Sequence, residues 1–129
     1  MQIWLYFIYY YNKIQLNIAR KYSSNLKNIV QIPIYDLKKT NPTFHQYIIR
    51  TKYRDQLQKF LAKNKIGTAI HYPIPIHQQK AYKKTFGKIN LPNTEKFSKE
   101  ILSLPIHPFM KNEEVDFVIK KVSEFFIKK

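Results

Sequence analysis

The sequence predicts an α+β fold in which about three short strands form one layer covered by helices. Three observations predict it. Short aromatic and β-branched runs recur at residues 44–51, 67–72 and 103–106, and segments of helical period lie before, between and after them. A length of 129 residues suits one hydrophobic core. With 44% hydrophobic residues and only two glycines, the chain has the apolar surface to build that core and lacks the composition of a disordered segment.

Residues 11–26 read as a helix, because Ile14, Ile18 and Tyr22 recur at four-residue spacing with Ala19 beside them. Residues 28–41 follow as an extended connection. Pro33 interrupts any helix there, and Asn41-Pro42 marks a turn. The shift in character near Pro33 marks a boundary region, and the chain is divided into an N-terminal helix with its extended connection, residues 1–41, and a second unit, residues 42–129. FHQYIIRT at 44–51 reads as a central strand. Residues 53–65 place Leu57, Phe60 and Leu61 on one helical face, and Gly67 stands where a left-handed residue often ends a helix. GTAIHY at 67–72 reads as a second strand, stopped by Pro73 and Pro75.

A short helix is expected at 77–84. Asn93 or Thr94 is expected to cap the next helix, with Glu95 favouring its positive end and Phe97, Ile101 and Leu102 turned inward. Residues 103–106 then form a brief extended piece. The last helix opens at Asn112-Glu113-Glu114, and Val115, Val118, Ile119, Val122, Phe125 and Phe126 follow helical spacing closely.

A net charge of +15 points by itself to nucleic acid or an anionic surface. The distribution argues otherwise. Only Arg20, Arg50 and Arg54 among the 23 basic residues are arginines, and the lysines are scattered, so the charge reads as a solvated surface with no specific nucleic-acid partner. The apolar run IWLYFIYYY at 3–11 is far short of the ~20 residues that span a bilayer. It reads as an aromatic helix face made to pack on a partner, and no membrane association is expected. The absence of cysteine removes disulfides, thiolate metal sites and cysteine nucleophiles, and it suits a cytoplasmic location.

Chemistry concentrates at His71-Tyr72-Pro73-Ile74-Pro75-Ile76-His77, where two prolines stiffen the exit of a strand and hold two imidazoles and a phenol in set positions. No carboxylate or cysteine joins His71 and His77 at a metal-ligand spacing, so no metal site is expected. No nucleophile accompanies them either, so no catalytic residue is assigned. His45 inside the first strand and His107 between prolines read as packed or surface residues.

The run FHQYIIRTKYRDQLQKFLAKNKIGTAIHYPIPIHQQKAY resembles the DegT/DnrJ/StrS family of sugar aminotransferases. An H-x-[YF] strand, an R-D-x-L helix and an H-Y-P-x-P-x-H loop follow in that family's order. LPNTEKFSKEILSLPIHPFM and the closing helix continue the match, which covers residues 12–126. The pattern departs at Ile66-Gly67, where the family often has Gly-Ile.

The resemblance implies the C-terminal small domain of a fold-type-I enzyme that uses pyridoxal phosphate (PLP). Such an enzyme moves an amino group from an amino donor, usually glutamate, to a keto sugar carried on a nucleotide, in polysaccharide, lipopolysaccharide or amino-sugar biosynthesis. It further implies substrate-binding positions for His71 and Tyr72 at the mouth of the active site. His77 would support the loop or reach the sugar nucleotide, and His45 would line the domain interface. The Schiff-base lysine of the family lies in a large domain that these residues do not match. The chain is therefore expected to be inactive alone and to bind no PLP by itself. Its expected protein partner is a homodimer mate or a separate large domain. A non-catalytic interaction module is the second reading, and a basic nucleic-acid-binding protein the third.

Overall fold

The computed structural model describes residues 2–127; Met1, Lys128 and Lys129 lie outside the described residues. Helix α1 runs Gln2–Leu26 and is followed by strand β1, Tyr47–Arg50. Helix α2 is Arg54–Lys63, and a 3₁₀ turn at Ile76–Gln78 leads into α3, Lys80–Phe86. Helix α4, Pro92–Glu100, runs directly into strand β2, Ile101–Leu104, and α5 closes the fold at Asn112–Ile127.

The two strands pair antiparallel, Tyr47 opposite Leu104 and Arg50 opposite Ile101. Isolated bridges extend the layer at both edges, Gln31 to Arg50 and Ala69 to Ser103. The expected α+β architecture is present, but GTAIHY contributes a single bridge in place of a strand. The backbone leaves the ladder at His71, and Pro73 and Pro75 supply no N–H with which to rejoin it. Ile101 and Leu102, expected on a helix, open β2 instead. Their β-branched and apolar side chains pair with Arg50 and Ile49 as soon as the chain leaves α4.

The core forms between one face of the sheet and three helices. Tyr47 and Ile49 of β1 are fully buried, as are Leu57 and Leu61 of α2 and Leu102 of β2. Helix α5 adds Val115, Val118 and Val122, the expected apolar stripe. Its start is capped by Glu114, whose Oε2 accepts from the Lys111 N–H at 2.7 Å, while Glu113 and Glu114 face the positive helix end. Helix α1 brings Ile18, Ala19, Tyr22 and Leu26. The Tyr22 ring lies 5.1 Å from Tyr47, and its hydroxyl donates to the Pro105 carbonyl at 2.8 Å. The Tyr47 hydroxyl shares a 2.8 Å hydrogen bond with Ser23 Oγ. Burial pushes the Tyr47 phenol up to about 12, and it drives Tyr22 further above the ordinary range, so both stay neutral at physiological pH.

Two local expectations change. The left-handed residue after α2 is Lys65, φ 60°, and not Gly67. The helix tightens through Lys65 N–H to Ala62 O and Ile66 N–H to Leu61 O, so the reversal comes two residues before the glycine. Helix α4 has no side-chain cap from Asn93 or Thr94. Its N-cap position is Leu91, whose N–H donates to Glu95 Oε1 at 3.3 Å.

Helix α1 joins the aromatic helix face expected at 3–11 and the helix expected from residue 11 into one continuous element. From Leu5 to Tyr10 every side chain is 44–69% exposed, whereas Tyr11 packs on Phe109 at 5.4 Å; the side chains of Ile3 and Trp4 lie outside the described part. Among the described residues no helix is long and apolar enough to cross a membrane.

Tyr22→Phe keeps the ring packing and strands the Pro105 carbonyl; a loss of about 1–2 kcal/mol in urea unfolding is expected, and an unchanged midpoint would deny that bond its role. Lys65→Gly relieves a left-handed lysine and is expected to raise stability by about 0.5–1 kcal/mol in the same measurement.

Candidate functional site

The sheet has two unlike faces. Tyr47 and Ile49 point into the core, so by alternation Ile48 and Arg50 point the other way. Cross-strand partners share a face, which places Ser103 beside Ile48 and Ile101 beside Arg50. Three shallow clefts open over this outer face. One, of about 360 Å³, is lined by His45, Gln46, Thr68, His71 and Ser103. A second, of about 770 Å³, runs past Phe44, Ile48, Arg50 and Ile101. The third, of about 570 Å³, lies between Tyr72, Tyr82 and Phe97.

The stiff loop after Ala69 borders this face. His71 Nδ1 shares a 2.9 Å hydrogen bond with Ser103 Oγ, which fixes the imidazole over the sheet. Ser103 is only 5% exposed, so the bond also satisfies a buried hydroxyl. The His71–Tyr72 peptide is cis, and Tyr72 stands 74% exposed. Pro75 is buried, and its carbonyl accepts from the Gln78 N–H at 2.9 Å to start the 3₁₀ turn. His77 on that turn lies 3.1 Å, Nε2 to Oε1, from Glu95 of α4. The hydrogen bond from His77, followed by that from the Leu91 N–H, holds the Glu95 carboxyl below its ordinary value.

The structure thus brings His45 and His71 to one cleft and sets Tyr72 in the neighbouring one. The His77 side chain is 8% exposed and engaged with Glu95, which makes it a clasp between loop and helix. His45 precedes β1 and is exposed, where the sequence suggested a strand interior.

No role is expected of Arg50 or Glu100 from the sequence, and Phe97 is expected to turn inward, but Phe97 is 40% exposed because its ring lies against the Arg50 side chain on the outer face. The Arg50 guanidinium lies 3.9 Å from the Phe97 ring centroid, and its Nε is 3.1 Å from Glu100 Oε2. Arg50 also lines a cleft of about 440 Å³ with Lys27, Lys52 and Lys96. The signal is register: Arg50 sits opposite Ile101, so Phe97 and Glu100 on the preceding helix come within reach only once the strands are paired. Among the described residues no group of three His, Cys, Asp or Glu is placed to hold a metal.

A PLP site needs a lysine protected from water and a cradle for the phosphate. Lys27, Lys52, Lys65 and Lys96, which border the clefts, are all exposed, and no glycine loop gathers backbone N–H groups there. These residues alone do not fit the cofactor.

The Glu95 clasp has a defined pH dependence. A carboxyl held below its ordinary value of 4.5 contributes fully above that value, and the contribution is lost as the pH falls through the lower folded value. Amide protection factors, corrected for the intrinsic rate at each pH, are expected to fall at residues 76–78, 91 and 93–95 on such acidification while those of β1 hold. Glu95→Ala should show the lower protection already at neutral pH; equal protection in the variant would mean the clasp holds nothing.

Residues 9–123 match the DegT/DnrJ/EryC1/StrS aminotransferase family. A pleiotropic regulatory protein of Geobacillus stearothermophilus is 36% identical over 115 residues, a match taking in 83% of this chain and 31% of that protein. The dTDP-3-amino-3,6-dideoxy-alpha-D-galactopyranose transaminase of Aneurinibacillus thermoaerophilus is 36% identical over 115 residues, covering 88% of this chain and 31% of the enzyme. Among solved structures, S. venezuelae DesV in complex with a ketimine intermediate superposes with a TM-score of 0.84 at 32% identity, over 89% of this chain and 32% of that one. The chain therefore spans about a third of the length of the relatives it matches. Matched along most of its length, from the first helix to the last, it belongs to the DegT/DnrJ/EryC1/StrS aminotransferase family.

Proposed function

We propose that this chain is the small domain of a PLP-dependent sugar aminotransferase, acting in the cytoplasm on a nucleotide-linked keto sugar with an amino donor such as glutamate. Residues 42–129 form the small domain proper, and residues 1–41 connect it to the cofactor-binding part, the portion of the relatives that these 129 residues do not span. The observation that carries the reading is the outer sheet face. Helices α1, α2 and α5 pack on the core side, whereas the outer face keeps open clefts bordered by the HYP loop, α3 and α4, where a second domain would close over substrate.

PLP, when bound by that other domain, supplies the electron sink for moving the amino group. This chain's own residues bind and orient. Ser103 holds the His71 ring in one orientation, so its Nε2 edge is the part left to meet a ligand. The exposed Tyr72 phenol offers a hydrogen bond beside it, and His45 stands across the same cleft as His71. His77 positions the loop through Glu95. Docking of the second domain over these clefts would exclude water and strengthen each of these polar contacts.

A specific observation favours pairing with a separate domain or subunit as the second reading. The apolar side chains from Leu5 to Tyr10 stand exposed around the whole helix, a surface suited to burial in a partner.

Mixing the purified chain with a cofactor-binding domain of the Aneurinibacillus relative tests both. Amino transfer from glutamate to a dTDP-linked keto sugar is expected in the mixture and in neither component alone. In the active mixture His71→Ala is expected to lower kcat/KM by about tenfold or more. Borohydride trapping of PLP at one lysine of this chain by itself would overturn the division of labour. Failure of the chain to associate with any such domain would overturn the pairing.

A further inference from the structure

A long stretch of the chain leaves the sheet and comes back to the same strand. It departs after Ala69, whose N–H donates to the Ser103 carbonyl at 3.2 Å and whose carbonyl accepts from the Ser103 N–H at 2.8 Å. It returns at Ile101, opposite Arg50, with the Glu100 carbonyl accepting from the Thr51 N–H at 3.0 Å. Both ends are thus rooted on β2, and the stem stays closed whatever the stretch between them does.

That stretch adds nothing to the core. No described residue from Tyr72 to Glu100 belongs to the buried apolar cluster or packs against it, and Pro75 and Ser98 are the only buried ones among them. Without buried apolar contacts, little free energy opposes its displacement. Its own bonds nevertheless keep it in one piece. The His77–Glu95 clasp ties the 3₁₀ turn to α4, and the Tyr82 N–H reaches the Gln79 carbonyl at 3.0 Å to carry that turn into α3.

Two arginines grip it from the fixed side. Arg50 of β1 lies 3.9 Å from the Phe97 ring centroid and 3.1 Å, Nε to Oε2, from Glu100. That Nε is buried yet makes no aligned hydrogen bond, so charge and stacking hold it without a directed bond. Arg54 of α2, its side chain 11% exposed, donates from Nη1 to the Ser98 carbonyl at 3.3 Å. Both grips fall on the last turn of α4, next to the stem, where a small shift moves the far end most.

We propose that residues 72–100 form a lobe that swings as one body on its stem, latched closed by Arg50 and Arg54, and that its swing opens and shuts the clefts over the outer sheet face. The swing is a property of this chain; that it admits substrate rests on the aminotransferase reading above. His71 stays behind, because its bond to Ser103 belongs to the stem. An open lobe therefore carries Tyr72 away from a fixed imidazole.

Relaxation-dispersion NMR of the whole chain tests this, since hinge motions fall on the μs–ms scale. Tyr72, Ser98 and Glu100 on the lobe and Arg50, Thr51 and Arg54 beside it are expected to share one exchange rate and one minor population, and the minor-state shifts of α4 to remain helical. Phe97→Ala, which removes the stacked ring, and Arg54→Lys, which removes the Nη1 donor, are each expected to raise that population about tenfold. The chain has no cysteine, so spin labels placed through Lys83→Cys on α3 and Lys120→Cys on α5 read the movement directly. A second separation is expected in the double variant Phe97→Ala, Arg54→Lys, while labels at Lys63→Cys and Lys120→Cys keep one separation. Wild-type core amide shifts are required of every variant, and the two single variants carry the test should the double one fail it. Unrelated exchange rates across the lobe, a minor state in which α4 has lost its helical shifts, or populations that neither latch variant changes would overturn the proposal. A swing as described, without amino transfer in any mixture, would leave the lobe and remove the aminotransferase reading; amino transfer with a motionless lobe would do the reverse.

Discussion

The fold hangs on a buried phenol. Tyr22 donates to the carbonyl of Pro105, the residue at which the chain leaves β2 and turns toward α5, so one side chain of the first helix fixes the route to the last. A phenol at 0% exposure cannot be left unpaired without cost, and this hydroxyl reaches a carbonyl that the sheet ladder does not use. The Tyr22 ring meanwhile lies against Tyr47 of β1, which meets Phe44, which meets Tyr35. Through this line of rings the connection after α1, the start of the sheet and the exit of β2 are held as one unit. Lys21, one residue earlier, pairs with Asp116 on α5 at 2.8 Å, but that contact is exposed and contributes little beside the ring packing.

A sheet with two unlike faces divides the labour among adjacent side chains. Tyr47 and Ile49 serve the core, while Ile48 and Arg50 serve the outer face. Ser103 belongs to that outer face but is nearly inaccessible, because His71 lies over it. The same pairing that satisfies a buried hydroxyl therefore aims an imidazole at the cleft. His77, six residues on, is spent differently: its bond to Glu95 secures the loop that presents Tyr72.

How much of this could be read in the sequence depends on whether the determining contact is local. Helix α5 was legible because its capping carboxylates and valine stripe lie within one segment. The HYP loop was legible because prolines act on their own backbone. The left-handed turn at Lys65 was not, since glycine preference pointed to position 67 while the hydrogen bonds closing α2 forced the reversal earlier. The start of β2 was hidden because Ile101 and Leu102 continue the helical period of α4; pairing with Ile49 and Arg50, some fifty positions away, decides their conformation. The same distance hid Arg50, Phe97 and Glu100 as a group. His71 and His45 share a cleft for a reason no local pattern reveals, namely that Ala69 bridges to Ser103 and so lays the segment that leads to His71 along β2, whose far end pairs with the start of β1 next to His45.

The apolar end of α1 gives the scattered lysines a use beyond solvation. Side chains such as Tyr6 and Tyr9, 69% and 66% exposed, make each molecule adhesive toward its own kind, while a net charge of +15 makes any two molecules repel. The repulsion is long-ranged in dilute buffer but shrinks to a screening length of about 8 Å at physiological ionic strength. Colloidal behaviour is thus set by a balance that salt tips: the surplus charge acts as a guard around an adhesive helix end, effective in fresh water and weakened in brine.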